Sequence, residues 1–208
     1  MSKVIPIQGG TTIRERLLQA VEETLVCHGF EAITIDMVAR AARVSRPVVF
    51  RYYGGLSGLV FEYSRTNRFW PSSGDLVDSD LAMLKTLPSA ARVAEFFKRL
   101  LHELRKRPHT IELLCWECRQ RNRLTTIMEN SRVKSSLEFF ESVLPDIDDD
   151  VDLGAIVAVI AAAAFFLLVR SRTTPHFGGI DLASPLGQQR IDDTIDLLLQ
   201  GTLPSTWR

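Results

Sequence analysis

Apolar residues recur along this chain at steps of three and four, with no sustained two-residue alternation, so the pattern predicts an all-α protein. Ile13, Leu17, Val21 and Leu25 form a first stripe, which Gly29 closes as a helix-ending residue. Thr34 caps a short second helix with Ile35, Val38, Ala39 and Ala42 inward. A third helix opens at Ser45. A fourth is expected from about Ser57 to Trp70 with Leu59, Val60 and Tyr63 inward, before Pro71, Ser72, Ser73 and Gly74 break it.

Longer helices follow. Val93, Phe96, Phe97, Leu100, Leu101 and Leu104 make a wide stripe that stops before Pro108. Two helices are expected over 109–123 and 125–144, the second with Val133, Leu137, Phe140 and Leu144 on its inward side. Pro145 and an acidic turn precede a very apolar helix over 152–171. Asp148, Asp149, Asp150 and Asp152 sit where a helix N-terminus favours negative charge. A last helix over 186–200 carries Ile191, Ile195, Leu198 and Leu199.

Composition narrows the class. With 208 residues and 46% hydrophobic content, the chain can bury a core and suits one medium domain plus a small one. The formal net charge is zero but uneven: residues 1–70 carry +3, and no acid lies between Met37 and Phe61, where Arg40, Arg43, Arg46 and Arg51 fall. That stretch suits a polyanion. Three cysteines and no secretory leader point to the cytoplasm. The apolar run Leu153 to Val169 is at the lower length limit for a membrane span, with aspartates crowding one end; a buried helix is expected, and a membrane-attached protein is the alternative.

The segment RVSRPVVFRYYGG, Arg43 to Gly55, holds the most specific chemistry. Ser45 can cap with its hydroxyl, and Pro47 fits a first turn whose amides have no intrahelical partner to lose. At helical spacing Val49 and Tyr53 face one side, and Pro47, Phe50 and Arg51 the other. Two short helices joined by Ala42, Arg43 and Val44 fit a helix-turn-helix, whose second helix enters the DNA major groove N-terminus first. Arg46 then suits a guanine edge, and Pro47 and Phe50 suit apolar contact such as a thymine methyl. Arg51 and the Tyr52 hydroxyl suit phosphates, which fix position without selecting sequence.

Residues 12–60 resemble the DNA-binding region of the TetR family of bacterial transcriptional regulators. The match rests on the first helix ending in Gly29 and Phe30, Thr34 before Ile35, Val38-Ala39, Val44-Ser45 at the turn, and Phe50, Tyr52 and Tyr53 followed by glycine. ELLCWECRQRNRLTTIMENSR and GGIDLASPLGQQRIDD are also similar to one branch of the family's C-terminal domains. Three positions depart from the pattern. Arg43 replaces a turn glycine, Phe50 replaces a tyrosine, and Leu56 stands where a phosphate-gripping lysine is usual. They imply a weaker electrostatic grip, offset by Arg43 and Arg51.

The resemblance implies a helix-turn-helix domain over 1–56, a connecting helix over 57–70, and a C-terminal helical domain over 71–208 for ligand binding and dimerisation. The expected DNA-facing set is Thr34, Arg43, Ser45, Arg46, Pro47, Phe50, Arg51 and Tyr52. The expected partners are double-stranded operator DNA, a second copy of the chain and a small, largely apolar effector. A repressor is the implied role. Phe97, Leu101, Trp116, Phe140 and Phe166 are candidate pocket residues. Ala161, Phe165, Ile191, Ile195, Leu198 and Leu199 are candidates for a four-helix dimer interface. No catalytic set, metal set or cofactor motif is evident, which disfavours an all-α enzyme using the C-terminal cavity. Cys115 and Cys118 in CWEC leave open a thiol-responsive regulator; buried small hydrophobes are the plainer reading.

Overall fold

The computed structural model describes residues 12–77, 80–143 and 152–203. In chain order its helices are α1 (Ile13–Ala32), α2 (Ile35–Ala41), α3 (Arg46–Tyr53), α4 (Leu56–Ser64), α5 (Ser73–Val77), α6 (Leu81–Thr86), α7 (Ser89–Arg105), α8 (Pro108–Arg119), α9 (Arg123–Val143), α10 (Leu153–Arg170) and α11 (Pro185–Thr202). A two-residue antiparallel hairpin, β1 (His176–Phe177) and β2 (Ile180–Asp181), separates the last two. The protein is all-α.

A capping box sets the start of α1. The Thr12 hydroxyl accepts from the Glu15 amide at 3.2 Å while the Glu15 carboxylate accepts from the Thr12 amide at 2.7 Å. Leu17, Val21 and Leu25 are buried as their spacing requires, and Gly29 breaks the helix at φ 73° before it resumes to Ala32. Val38, Ala39 and Ala42 of α2 and its exit, Val49 of α3, and Leu59, Val60 and Tyr63 of α4 close a small core on α1.

α4 ends at Ser64, six residues short of the expected Trp70. The chain then winds through turns in which Thr66 donates to the Tyr63 carbonyl and Phe69 to the Thr66 carbonyl, each at 3.0 Å. Phe69 and Trp70 stay buried, so they mimic a helical stripe in sequence.

α7 runs through the larger core, with Val93, Phe96, Phe97, Leu100, Leu101 and Leu104 all buried. Phe96 meets Phe97, Phe139 and Phe140 at ring-centroid distances of 5.1, 4.8 and 4.6 Å. α9 is rotated from its expected phase. Leu124, Met128, Phe139 and Val143 are buried, Phe140 is half-buried, and Val133 and Leu137 are exposed. Its middle turns toward α4 with hydroxyls: Ser64 and Ser131 hydroxyl oxygens lie 2.6 Å apart, and Ser135 donates to the Pro71 carbonyl at 3.0 Å. Leu144, Pro145 and Asp148 to Asp150 lie outside the described residues. Asp152 caps α10 by accepting from the Ala155 amide at 2.8 Å.

α10 has a mean hydropathy of 2.5, yet only Ile160, Ala164 and Leu168 are buried along it. α11 packs on α7 through Ile191, Ile195 and Leu199, beside a Lys98–Asp196 ion pair at 3.0 Å.

Candidate nucleic-acid interface

The turn between α2 and α3 is built by two backbone bonds, Arg43 N–H to the Arg40 carbonyl at 3.1 Å and Val44 N–H to the Ala39 carbonyl at 2.9 Å. Together they form a Schellman closure, which puts the residue after the C-cap in left-handed conformation. Arg43 occupies it at φ 54°, the one non-glycine residue at positive φ among the described residues. Ser45 starts α3 in extended conformation, but its hydroxyl makes no cap. The Val48 amide donates instead to the Ser45 carbonyl at 3.0 Å. The hydroxyl stays exposed and free for another partner.

Val49 anchors α3 inward and is fully buried. Arg43, Ser45, Arg46, Pro47, Phe50 and Arg51 are exposed, as is the α2 cap Thr34, whose hydroxyl accepts from the Met37 amide at 3.3 Å. Tyr52 is half-buried. The Arg46 guanidinium lies 5.8 Å from the Phe50 ring centroid and 3.6 Å from the Asp36 carboxylate, with both charged side chains mostly exposed. Such a pair holds Arg46 weakly.

A basic residue absent from the expected set joins this face. Arg14, on the first turn of α1, sits 5.9 Å from the Tyr52 ring centroid, with Arg51 5.7 Å from the same ring. Burial pushes the neighbouring Tyr53 hydroxyl up, against the opposing pull of Arg14. The Thr12–Glu15 capping box was the available signal, since it fixes where α1 begins and hence which way Arg14 points.

α8 grips the back of this unit. The Trp116 indole donates to the Val26 carbonyl at 3.1 Å. The Gln120 side-chain oxygen accepts from the Phe30 and Glu31 amides at 2.7 and 3.2 Å, and Asn122 donates to the Phe30 carbonyl at 3.1 Å. Beside them Glu22, buried on α1, accepts from Arg68 at 2.9 Å and meets His109 at 3.1 Å.

The five pocket candidates separate. Leu101 lines a cavity of about 200 Å³ among α7, α8, α10 and α11, together with Arg105, Ile111, Ala164, Leu168 and Gln188. Phe97 is closed into the aromatic core and Phe140 lies at its margin. Trp116 is committed to the α1 joint, and Phe166 is 53% exposed, edge-on to Phe177 at 5.4 Å. A wider groove of about 550 Å³ runs between the α4 end and α9, lined by Phe61, Arg65, Trp70, Ile127 and Lys134.

The dimer candidates also separate. Ile191, Ile195 and Leu199 are already buried within the single chain; Ala161 and Phe165 are half-covered, Phe165 by Trp70; Leu198 is exposed. Ala158, Val159, Ala162 and Phe166 are exposed apolar residues of α10; on α11 Leu197 and Leu198 are exposed together, and Leu186 is exposed apart from them, beyond Gln189, Arg190, Asp193 and Thr194. The inward α11 stripe is apolar throughout, and Leu197 and Leu198 beside Leu199 widen it at its C-terminal end, so spacing alone does not say which of these three leucines α7 takes.

Cys115 is half-buried, and burial, with Glu112 nearby, pushes its thiol up, while Cys118 and Cys27 are exposed. Among the described residues no cluster of three or more His, Cys, Asp and Glu could hold a metal.

Residues 17–63 match the family model for bacterial regulatory proteins, tetR family. No curated protein matches the chain. Solved structures share its fold. The fatty acid degradation regulator FadR from Bacillus halodurans is similar at TM-score 0.63 and 12% identity, over 91% of this chain and 99% of that one. A TetR-like transcriptional regulator from Rhodococcus sp. RHA1 is similar at TM-score 0.57 and 17% identity, over 92% and 96%. A TetR family transcription regulator from Marinobacter aquaeolei VT8 is similar at TM-score 0.55 and 14% identity, over 88% and 93%.

Proposed function

We propose that this chain, a TetR-family regulator by its DNA-binding domain, is a cytoplasmic homodimeric repressor that a small effector releases from its operator. The observation that carries the reading is the outer face of α3, where Arg46, Pro47, Phe50 and Arg51 stand exposed on a helix anchored from behind by Val49. That face suits a major groove: Arg46 reads a guanine edge, Pro47 and Phe50 contact apolar base edges, and Arg43, Arg51, Tyr52, Ser45 and Thr34 hold phosphates.

One such head reads few base pairs, so two are needed, about 10 bp apart on one side of the duplex. The exposed apolar residues of α10, with Leu197 and Leu198 of α11, support pairing, because a helix this apolar is costly to leave in water and a two-fold four-helix contact buries it. This pairing also accounts for the hydropathy of α10 without a membrane.

Release requires an effector that favours the conformer whose heads are misplaced for DNA. The 200 Å³ cavity supports this role, since Pro108 and Ile111 at its wall begin the helix that ends on α1 through Trp116 and Gln120.

Footprinting with the purified chain on DNA flanking its own gene tests the proposal. Protection of a two-fold symmetric site with half-sites about one helical turn apart is expected. A single unsymmetric footprint, or affinity that does not depend on sequence, sinks it.

A further inference from the structure

Arg105 stands at the wall of the 200 Å³ cavity with its guanidinium half-buried. Among the described residues its side chain makes no hydrogen bond and no ion pair; Asp192 on α11 acts on it through its charge alone. Burial holds Arg105 below the ordinary arginine range, against that pull. A half-buried guanidinium at a cavity wall, with no acceptor in its fork, keeps two parallel N–H donors open to a bound anion.

The remaining wall divides by chemistry. Leu101, Ile111, Ala164 and Leu168 supply an apolar body, and Arg105, Ser171, Arg172 and Gln188 supply its polar groups. A second guanidinium at the wall, Arg172, already has Glu112 at 3.6 Å. Among the described residues Arg105 is therefore the wall guanidinium whose fork holds no acceptor, with Asp192 facing it only at a distance. The wider groove beside α4 lacks such an anchor: Arg65 lies over the Phe61 ring at 5.4 Å, and Lys134 is exposed with Glu138 at 3.7 Å.

We infer that this cavity takes a small amphipathic carboxylate, its anion paired in fork geometry with Arg105 and its apolar body laid among Leu101, Ile111, Ala164 and Leu168. The volume lies below that of drug-sized sites, which limits the ligand to a compact ring or short chain. The inference rests on the effector reading above and names the class of that effector. Arginine suits the role because its planar fork meets both carboxylate oxygens at once.

Two probes of the same shape test it: cyclohexanecarboxylate and its neutral isostere cyclohexanecarboxamide, titrated calorimetrically into the full-length protein. The carboxylate is expected to bind roughly ten- to a hundredfold more tightly, the ratio a charge-assisted pair supports. In Arg105→Gln that preference disappears while carboxamide binding persists. Arg105→Lys keeps part of it, and Ala164→Leu, which fills the cavity, abolishes both. Helicity by circular dichroism shows that each variant is folded. Equal affinity for the two probes, a preference that survives in Arg105→Gln, or no saturation of the native protein by about 1 mM overturns the inference. A gel shift separates the two readings. Carboxylate that binds through Arg105 yet leaves the DNA complex intact supports the site and removes its effector role. DNA released by compounds indifferent to Arg105 removes the site and leaves the regulator.

Discussion

Gly29 lies directly beneath the indole of Trp116: a Cβ added there would fall 2.7 Å from Cε3 of the ring, at a backbone φ of 73°. The reading head and the helical body thus meet at a position where only glycine fits for two independent reasons, space and conformation. Gly29→Ala is expected to cost about 2 kcal/mol, lowering Tm by roughly 4–8 °C. In a double-mutant cycle with Trp116→Ala, part of the loss is recovered because the ring that obstructs the methyl is gone. Calorimetric melting of the four proteins measures it, and strict additivity would show that φ strain alone is responsible.

Arg43 invites the opposite experiment. It occupies the left-handed position of the Schellman turn with a side chain that position disfavours by about 1 kcal/mol. Arg43→Gly removes that strain but adds chain entropy in the unfolded state, so stability is expected to change by under about 1 kcal/mol. Arg43→Val, β-branched at positive φ, is expected to lose about 1–3 kcal/mol. Operator binding by the folded Arg43→Gly protein should weaken, with the slope of log affinity against log salt reduced by about one. A glycine variant with unchanged salt slope would remove Arg43 from the phosphate contacts.

The arrangement of the N-terminal helices α1 to α3 was legible because its rules are local. Val38, Ala39, Val49 and Leu59 must all face α1 within a few short helices, and turn chemistry fixes the joints. Beyond it, periodicity misleads wherever a polar residue has an inward task. α9 brings Ser131 to Ser64 of α4 and Ser135 to the Pro71 carbonyl beyond it, inward tasks for small hydroxyls, so the remaining apolar residues Val133 and Leu137 fall on the outer face. Trp116 looked like pocket lining because its apolar area is visible in sequence and its hydrogen bond to Val26, ninety positions away, is not. Arg105 carries no pattern at all; its place at the cavity wall, with no hydrogen-bond acceptor among the described residues, distinguishes it.

Arg46 and Tyr52 separate reading from holding. Arg46→Ala should relax selection at one base position, costing about 1–3 kcal/mol on the preferred operator and little on others. Tyr52→Phe should weaken all sequences alike if its hydroxyl holds a phosphate, as the proposal has it, beside the Arg14 and Arg51 guanidinium groups that lie near its ring. Competition gel shifts with operators varied one base at a time distinguish the two patterns. Loss in neither variant would discard these contacts.

Val159 and Leu197 test pairing more sharply than any inward residue. They are 67% and 70% exposed in the single chain, on the uncovered sides of α10 and α11. Neither contributes to the core, so Val159→Glu or Leu197→Glu should leave helicity intact, while a carboxylate buried unpaired in an apolar contact opposes association strongly. Sedimentation velocity is expected to show a folded monomer that has lost operator affinity, because one head alone makes half the contacts. Leu199→Ala serves as the contrast. Leu199 is fully buried against α7, so its truncation should cost about 2–5 kcal/mol of stability through cavity formation and leave the surviving folded protein dimeric. A glutamate variant that remains a dimer would move the interface off these helices and leave the hydropathy of α10 without an explanation in pairing.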